Sequence, residues 1–195
     1  MLFPYGISDF SKIILNNYLY FDRTYLIPLI ENTGQSILFL RPRRFGKSLI
    51  ISMLENYYDI AKKDLFEKLF GHLQIGKNPT PLHNQYFILK LDFSCIGAYG
   101  DTKELQQFLI DYVNERIKKF CFDYKHIISE HVEINPDNAI ASIESLLKIV
   151  SHYETSIFLL IDEYDNFTNE LMLNKTTSNT NENDPYTLFV KKDGP

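Results

Sequence analysis

"SILFLRPRRFGKSLIISMLENYYDI", residues 36 to 60, carries three local signals in a row. Ser36 to Leu40 is a short apolar run bounded by Gly34 and Pro42, the pattern of a fully buried strand rather than a half-exposed one. From Ser48 onward the apolar residues return at helical spacing, so Gly46, Lys47 and Ser48 fall at a strand-to-helix junction. At such a junction successive backbone N–H groups and the positive end of the following helix converge on one point. A phosphate-binding loop works this way, with a lysine reaching the β and γ groups and a hydroxyl ligating magnesium. Lys47 and Ser48 take those roles here, and Gly46 lets the backbone come close. The usual pattern opens with a glycine at the place where this sequence has Arg41. That departure matters only if position 41 needs a positive φ, because the N–H directions of residues 43 to 48 make the anion nest. The expected nucleotide-binding stretch is Arg43, Arg44, Phe45, Gly46, Lys47, Ser48 and Leu49. Arg43 and Arg44 have two readings, as phosphate or inter-subunit contacts and as partners of surface carboxylates.

A second junction lies at "FLLIDEYD", residues 158 to 165. Four apolar residues run into Asp162 and Glu163, the layout in which the first acid holds magnesium and the second polarises the attacking water. A parallel strand ending beside a phosphate loop carries both carboxylates to the rim where a γ-phosphate lies. Asp162 and Ser48 are thus the expected metal ligands and Glu163 the expected catalytic base. Tyr164 and Asp165 are expected to orient the site, and Asp92, ending another apolar run, to support it. Either junction alone also suits a plain structural turn; their order in one chain favours the nucleotide reading.

Around these junctions the chain alternates strand and helix patterns. "YFILKLDF" reads as a strand ending at Asp92, and "TKELQQFLIDYVNERIKKF" as an amphipathic helix of about five turns. "NPDNAIASIESLLKIVSHY" reads as a further helix, with Asn135 as N-cap and Pro136 at the first helical position. Near the start, Phe10, Ile13 and Ile14, then Leu26, Leu29 and Ile30, recur at helical spacing on either side of an aromatic turn, Tyr18 to Tyr25. The segment "NKTTSNTNENDPY" is polar and has too little apolar surface to offset the entropy of ordering. The expected fold is α/β, a three-layer P-loop NTPase core around a mainly parallel sheet, incomplete at its C-terminus because only "YTLFV" offers a strand after Phe167.

Composition bounds the function classes. The chain has 195 residues, 45% of them hydrophobic and 23% charged, which suits one sizeable globular core. No apolar run reaches the roughly 18 to 20 residues of a membrane span, and the start lacks a signal-peptide layout. A cytoplasmic location is expected. Cys95 and Cys121 stand alone, so neither a disulfide framework nor a zinc knuckle is expected, and the five histidines form no metal motif. The net charge of −5 and pI near 5.5 argue against a globally basic nucleic-acid surface, while a local patch escapes that test.

Four stretches together, "RPRRFGKSL" (41 to 49), "IDEYD" (161 to 165), "YGISDF" (5 to 10) and "YFDRTYLI" (20 to 27), resemble the AAA-ATPase-like family from about Pro4 to Phe167. In that family the first glycine of the loop is likewise replaced, within an RPRRFGKS signature. The resemblance implies ATP and Mg2+ as ligands, hydrolysis with a catalytic glutamate, and a nuclease-like domain of the PD-(D/E)XK type that often follows, hence a nucleic-acid partner. Arg23 stands where the family usually has lysine in a Tyr-x-Asp-Lys-Thr stretch. The expected organisation is a family-specific segment over 1–33, a partial NTPase core over 34–172 and a polar tail over 173–195. An ATP-dependent interaction module without catalysis is the alternative from another class. A small-molecule kinase is a further one, although no arginine-rich lid follows Ile60.

Overall fold

The computed structural model describes residues 2–40, 42, 44–95 and 102–165. Two compact units share the chain: residues 1–88 with 155–160, and residues 89–154 with 161–195. The fold is α/β, with strands β1 (Tyr86–Asp92) and β2 (Ser156–Asp162) paired in parallel. Parallel neighbours need a long crossover, and helices α6 (Thr102–Asp123) and α7 (Ala139–Val150), counted below in chain order, supply it.

In the first unit, helices α1 (Phe10–Leu15), α2 (Ile27–Glu31) and α3 (Lys47–Tyr58) come first, followed by the short helices α4 (Phe66–Phe70) and α5 (Gln74–Lys77). Asp9 caps α1 by accepting the Lys12 N–H at 3.1 Å, which leaves Phe10, Ile13 and Ile14 on the buried face. The core is aromatic. Phe10 stacks on Phe70 with ring centroids 5.0 Å apart, and Tyr57 meets Phe70 edge-on at 5.3 Å. Tyr58 stacks on Phe158 at 4.6 Å and donates its hydroxyl to Glu31 Oε1 at 3.0 Å, so a buried ring keeps its polar end satisfied. One more bond ties α1 to α3: the Phe10 N–H donates to the buried Ser52 Oγ at 2.9 Å. The helix behind the phosphate loop is therefore held along its length by the N-terminal segment.

In the second unit, α6 buries Leu105, Tyr112, Ile117 and Phe120 and packs on α7, which buries Leu146, Ile149 and Val150. Asn114 of α6 donates through Nδ2 to the Asn135 carbonyl at 2.8 Å, and the buried Ser142 Oγ accepts the Asn135 N–H at 2.9 Å. Those bonds use the backbone of Asn135, and its side-chain Oδ1 accepts the Asp137 N–H at 2.9 Å, closing a local turn ahead of the helix. The cap of α7 is Asn138, whose Oδ1 accepts from the Ile140 and Ala141 N–H groups, so the helix starts later than the Asn135-Pro136 signal suggests.

The largest correction concerns Ser36 to Leu40. No strand forms there, and Ile37, Leu38 and Leu40 are exposed, Leu38 and Leu40 by 65% and 69%. An apolar run becomes a buried strand only when a ladder partner takes its N–H and C=O groups, and among the described residues the sheet is limited to β1 and β2. Leu29, expected on the buried face of its helix, is 61% exposed, and Ile27 is buried in its place.

Candidate functional site

The phosphate-loop residues lie in the first unit. Pro42 and Phe45 close a turn, the Phe45 N–H donating to the Pro42 carbonyl at 3.4 Å. Arg44 has φ +67 and Gly46 φ +78, so two left-handed residues alternate with Phe45 just before α3. Gly46 is the N-cap of α3 and offers no side chain to the first turn, and the first helical bond runs from the Ile50 N–H to its carbonyl at 3.0 Å. The Lys47, Ser48 and Leu49 N–H groups therefore open the helix without an intrahelical acceptor, at its positive end. A Cβ added to Gly46 would meet nothing within 4 Å, so glycine serves the backbone conformation here rather than close packing. Arg44, Phe45 and Gly46 are exposed, and Lys47, Ser48 and Leu49 partly so. Arg41 and Arg43 lie outside the described residues.

The acids lie in the second unit. Asp162, the last residue of β2, is 5% exposed, and its Oδ1 accepts the Glu163 N–H at 3.0 Å. Glu163 has φ +51 and leaves the line of the strand. Tyr164 is half exposed and Asp165 exposed. At the end of β1, both backbone groups of Asp92 engage the Tyr112 hydroxyl at 2.6 Å, while Asp92 Oδ1 accepts the Ser94 N–H at 3.0 Å. The Tyr112 ring in turn carries the Arg116 guanidinium, 4.9 Å from its centroid. Each set of candidate residues is thus contiguous in its own unit: 44 to 49 in the first, 162 and 163 in the second.

Two features escaped the sequence reading. Arg44 occupies a conformation that suits glycine, and a phosphate-loop pattern marks only its first and last glycines. The other is the Tyr20 to Ile27 stretch. Asp22 Oδ1 accepts both the N–H and the hydroxyl of Thr24, at 2.8 and 2.7 Å, and its Oδ2 accepts the Gln74 N–H at 2.7 Å. The fully buried Thr24 Oγ1 accepts the Ile75 N–H at 3.1 Å. Asp22 and Thr24 therefore clamp the start of α5 to the N-terminal segment, and Phe21, Arg23 and Tyr25 face solvent. Burial pushes the Asp22 carboxyl up, but the bonds from Thr24 and Gln74 outweigh it and hold the carboxyl below its ordinary value.

A mixed helix-and-strand chain with a parallel sheet, a glycine-led helix N-terminus and a strand that ends on a buried acid belongs to the α/β class. The family model described as predicted AAA-ATPase matches residues 4–192, and the chain belongs to that AAA-ATPase-like family. No curated protein and no solved structure matches it. The family supports a general ATPase-like, nucleotide-binding module. For a magnesium nucleotide the donors present have the right chemistry, since a serine hydroxyl and a buried carboxylate are the hard oxygen ligands that Mg2+ takes beside water. Among the described residues no helix is long and apolar enough to cross a membrane.

Proposed function

We propose that this chain binds ATP with Mg2+ and hydrolyses it, on a three-layer P-loop core. The observation that carries the reading is the backbone of the loop: left-handed Arg44 and Gly46 lead into a 12-residue helix with no side-chain cap, whose first N–H groups lie at a positive helix end. Backbone strain adds support. Four described non-glycine residues have positive φ; Asn17 and Asn84 are of the type that tolerates it, and the other two are Arg44 and Glu163, one at each junction.

In this reading the N–H groups of residues 43 to 48 cradle the phosphates, with Lys47 Nζ reaching the β and γ oxygens. Ser48 and Asp162 hold the magnesium, which when bound offsets charge on the phosphate oxygens. Glu163 accepts a proton from the water that attacks the γ-phosphorus as the bond to ADP breaks. A nucleic-acid partner is the further proposal that the family's usual nuclease-like neighbour supports.

Lys47→Ala removes a charge-assisted contact and is expected to weaken ATP by roughly 1.5–3 kcal/mol, at least about ten-fold. Titration calorimetry on both proteins checks it, and equal affinities would refute the loop assignment. Glu163→Gln keeps the shape and loses the base, so Mg-ATP binding is expected to persist while phosphate release stops. Unchanged turnover in that variant would remove Glu163 from the reaction, and no turnover in either protein would favour the non-catalytic module.

A further inference from the structure

β1 and β2 each end on an acid, and the two ends lie side by side. Thr155 Oγ1 donates to the Gln85 carbonyl, so the residues just ahead of the two strands are neighbours. With seven residues in each of these paired parallel strands, their last residues, Asp92 and Asp162, are neighbours too. Tyr86 meets Phe158 edge-on with ring centroids 5.6 Å apart, and both pack on the buried cluster that contains Ile88 and Leu160, so these four share one face of the sheet. The two-residue period of a strand carries Asp92 and Asp162 to that same face. In the second unit the end of β1 is held from α6. The buried Tyr112 hydroxyl accepts the Asp92 N–H and donates to the Asp92 carbonyl, both at 2.6 Å, so one hydroxyl fixes both backbone groups of that residue. Its ring is braced in turn. Phe93 packs with its centroid 5.6 Å away, and the Arg116 guanidinium lies over the ring although the buried Arg116 Nε finds no hydrogen bond among the described residues.

We infer that Tyr112 is a positioning residue for the magnesium site: it fixes the Asp92 carboxylate beside Asp162, so that two carboxylates rather than one serve the cation. The inference rests on the nucleotide reading above. Carboxylates at neighbouring strand positions repel each other, and a divalent cation offsets that repulsion because it attracts both. Mg2+ keeps several of its waters and takes few protein ligands, so Asp92 acts by accepting a hydrogen bond from a bound water while Ser48 and Asp162 hold the ion. Asp92 Oδ1 accepts the Ser94 N–H at 3.0 Å, which orients the carboxylate, and the backbone bonds to Tyr112 set the direction in which the side chain leaves the strand. An acid held in this way needs little reordering to meet the ion.

The test is a cycle of Asp92→Asn, Tyr112→Phe and the double variant, read by calorimetric ADP affinity with and without Mg2+. The ratio of the two affinities measures what the ion adds. Asp92→Asn keeps the Ser94 bond through its Oδ1 and loses the charge, so the ratio is expected to fall about ten-fold. Tyr112→Phe keeps the ring and loses the hydroxyl. It should lower the ratio in the unsubstituted chain and leave it unchanged in the Asp92→Asn background, where no carboxylate remains to be positioned. Its effect on the melting temperature should be the same in both backgrounds, which separates positioning from a purely structural role. Hydrogen exchange is expected to show the Asp92 amide losing protection in Tyr112→Phe. An unchanged ratio in Asp92→Asn, or a loss from Tyr112→Phe of equal size in both backgrounds, would overturn the inference and leave the nucleotide site standing. ADP binding that is absent or indifferent to Mg2+ in the unsubstituted chain would overturn both. If Tyr112→Phe does not melt cooperatively, Asp92→Asn decides alone, and an unchanged ratio there refutes the proposal.

Discussion

Arg44 combines a strained backbone with an exposed cation in the phosphate loop. Replacing it by glycine removes the left-handed penalty but loosens the unfolded chain, so the net gain in stability is expected to be about 0.5–1 kcal/mol, read from urea melts. If the guanidinium faces phosphate, ATP affinity falls in the same variant. Stability and affinity should therefore move in opposite directions, an outcome that a purely structural arginine would not give. Asp162 and Glu163 show the complementary case, in which adjacent acids are given different tasks by their surroundings. The first is buried at the strand end and the second is turned out of the strand. Asp162→Asn is expected to weaken the magnesium dependence of nucleotide binding, and Glu163→Gln to leave it nearly intact; calorimetry with and without Mg2+ separates them.

Among the elements, the clamp on α5 is the part whose stability depends on a titrating group. A four-residue helix contributes little by itself, so α5 depends on Asp22 and Thr24 for its first N–H groups. Asp22→Ala is expected to cost about 1–2 kcal/mol at neutral pH. Because the folded carboxyl titrates below its ordinary range, its contribution is fully present above that range and is lost as pH falls through the lowered folded value. The gap between wild type and Asp22→Ala should hence narrow on acidification, as read by urea melts across that range. β1, β2, α3 and α6 were legible from the sequence, since their apolar residues recur at the strand or helix period and buried faces follow that period. The start of α7 was not. Asn135 and Asn138 both suit an N-cap; Asn135 Oδ1 closes a turn on the Asp137 N–H, and Asn138 Oδ1 takes the Ile140 and Ala141 N–H groups at the start of α7.

At the scale of the whole molecule, the exposed stretch Ile37 to Leu40 is the main departure from a closed apolar core. Consecutive apolar residues with strand-forming character and exposed side chains favour association with other chains. Leu38→Lys is expected to lower self-association of the chain, which sedimentation at increasing concentration would measure. The candidate site divides in the same way as the fold. Lys47, Ser48, Asp162 and Glu163 stand out as candidates in the sequence alone because the chemistry proposed for them depends on residue type and on spacing along the chain. The amphipathic periods, and with them the α/β class, were legible there too. The left-handed turns at Arg44 and Glu163, the clamp joining Asp22 and Thr24 to residues 74 and 75, and the exposure of residues 36 to 40 were decided only by the tertiary structure. Each depends on which distant N–H, carbonyl or apolar surface becomes a partner, and a local stretch of sequence specifies what a residue offers without specifying what meets it.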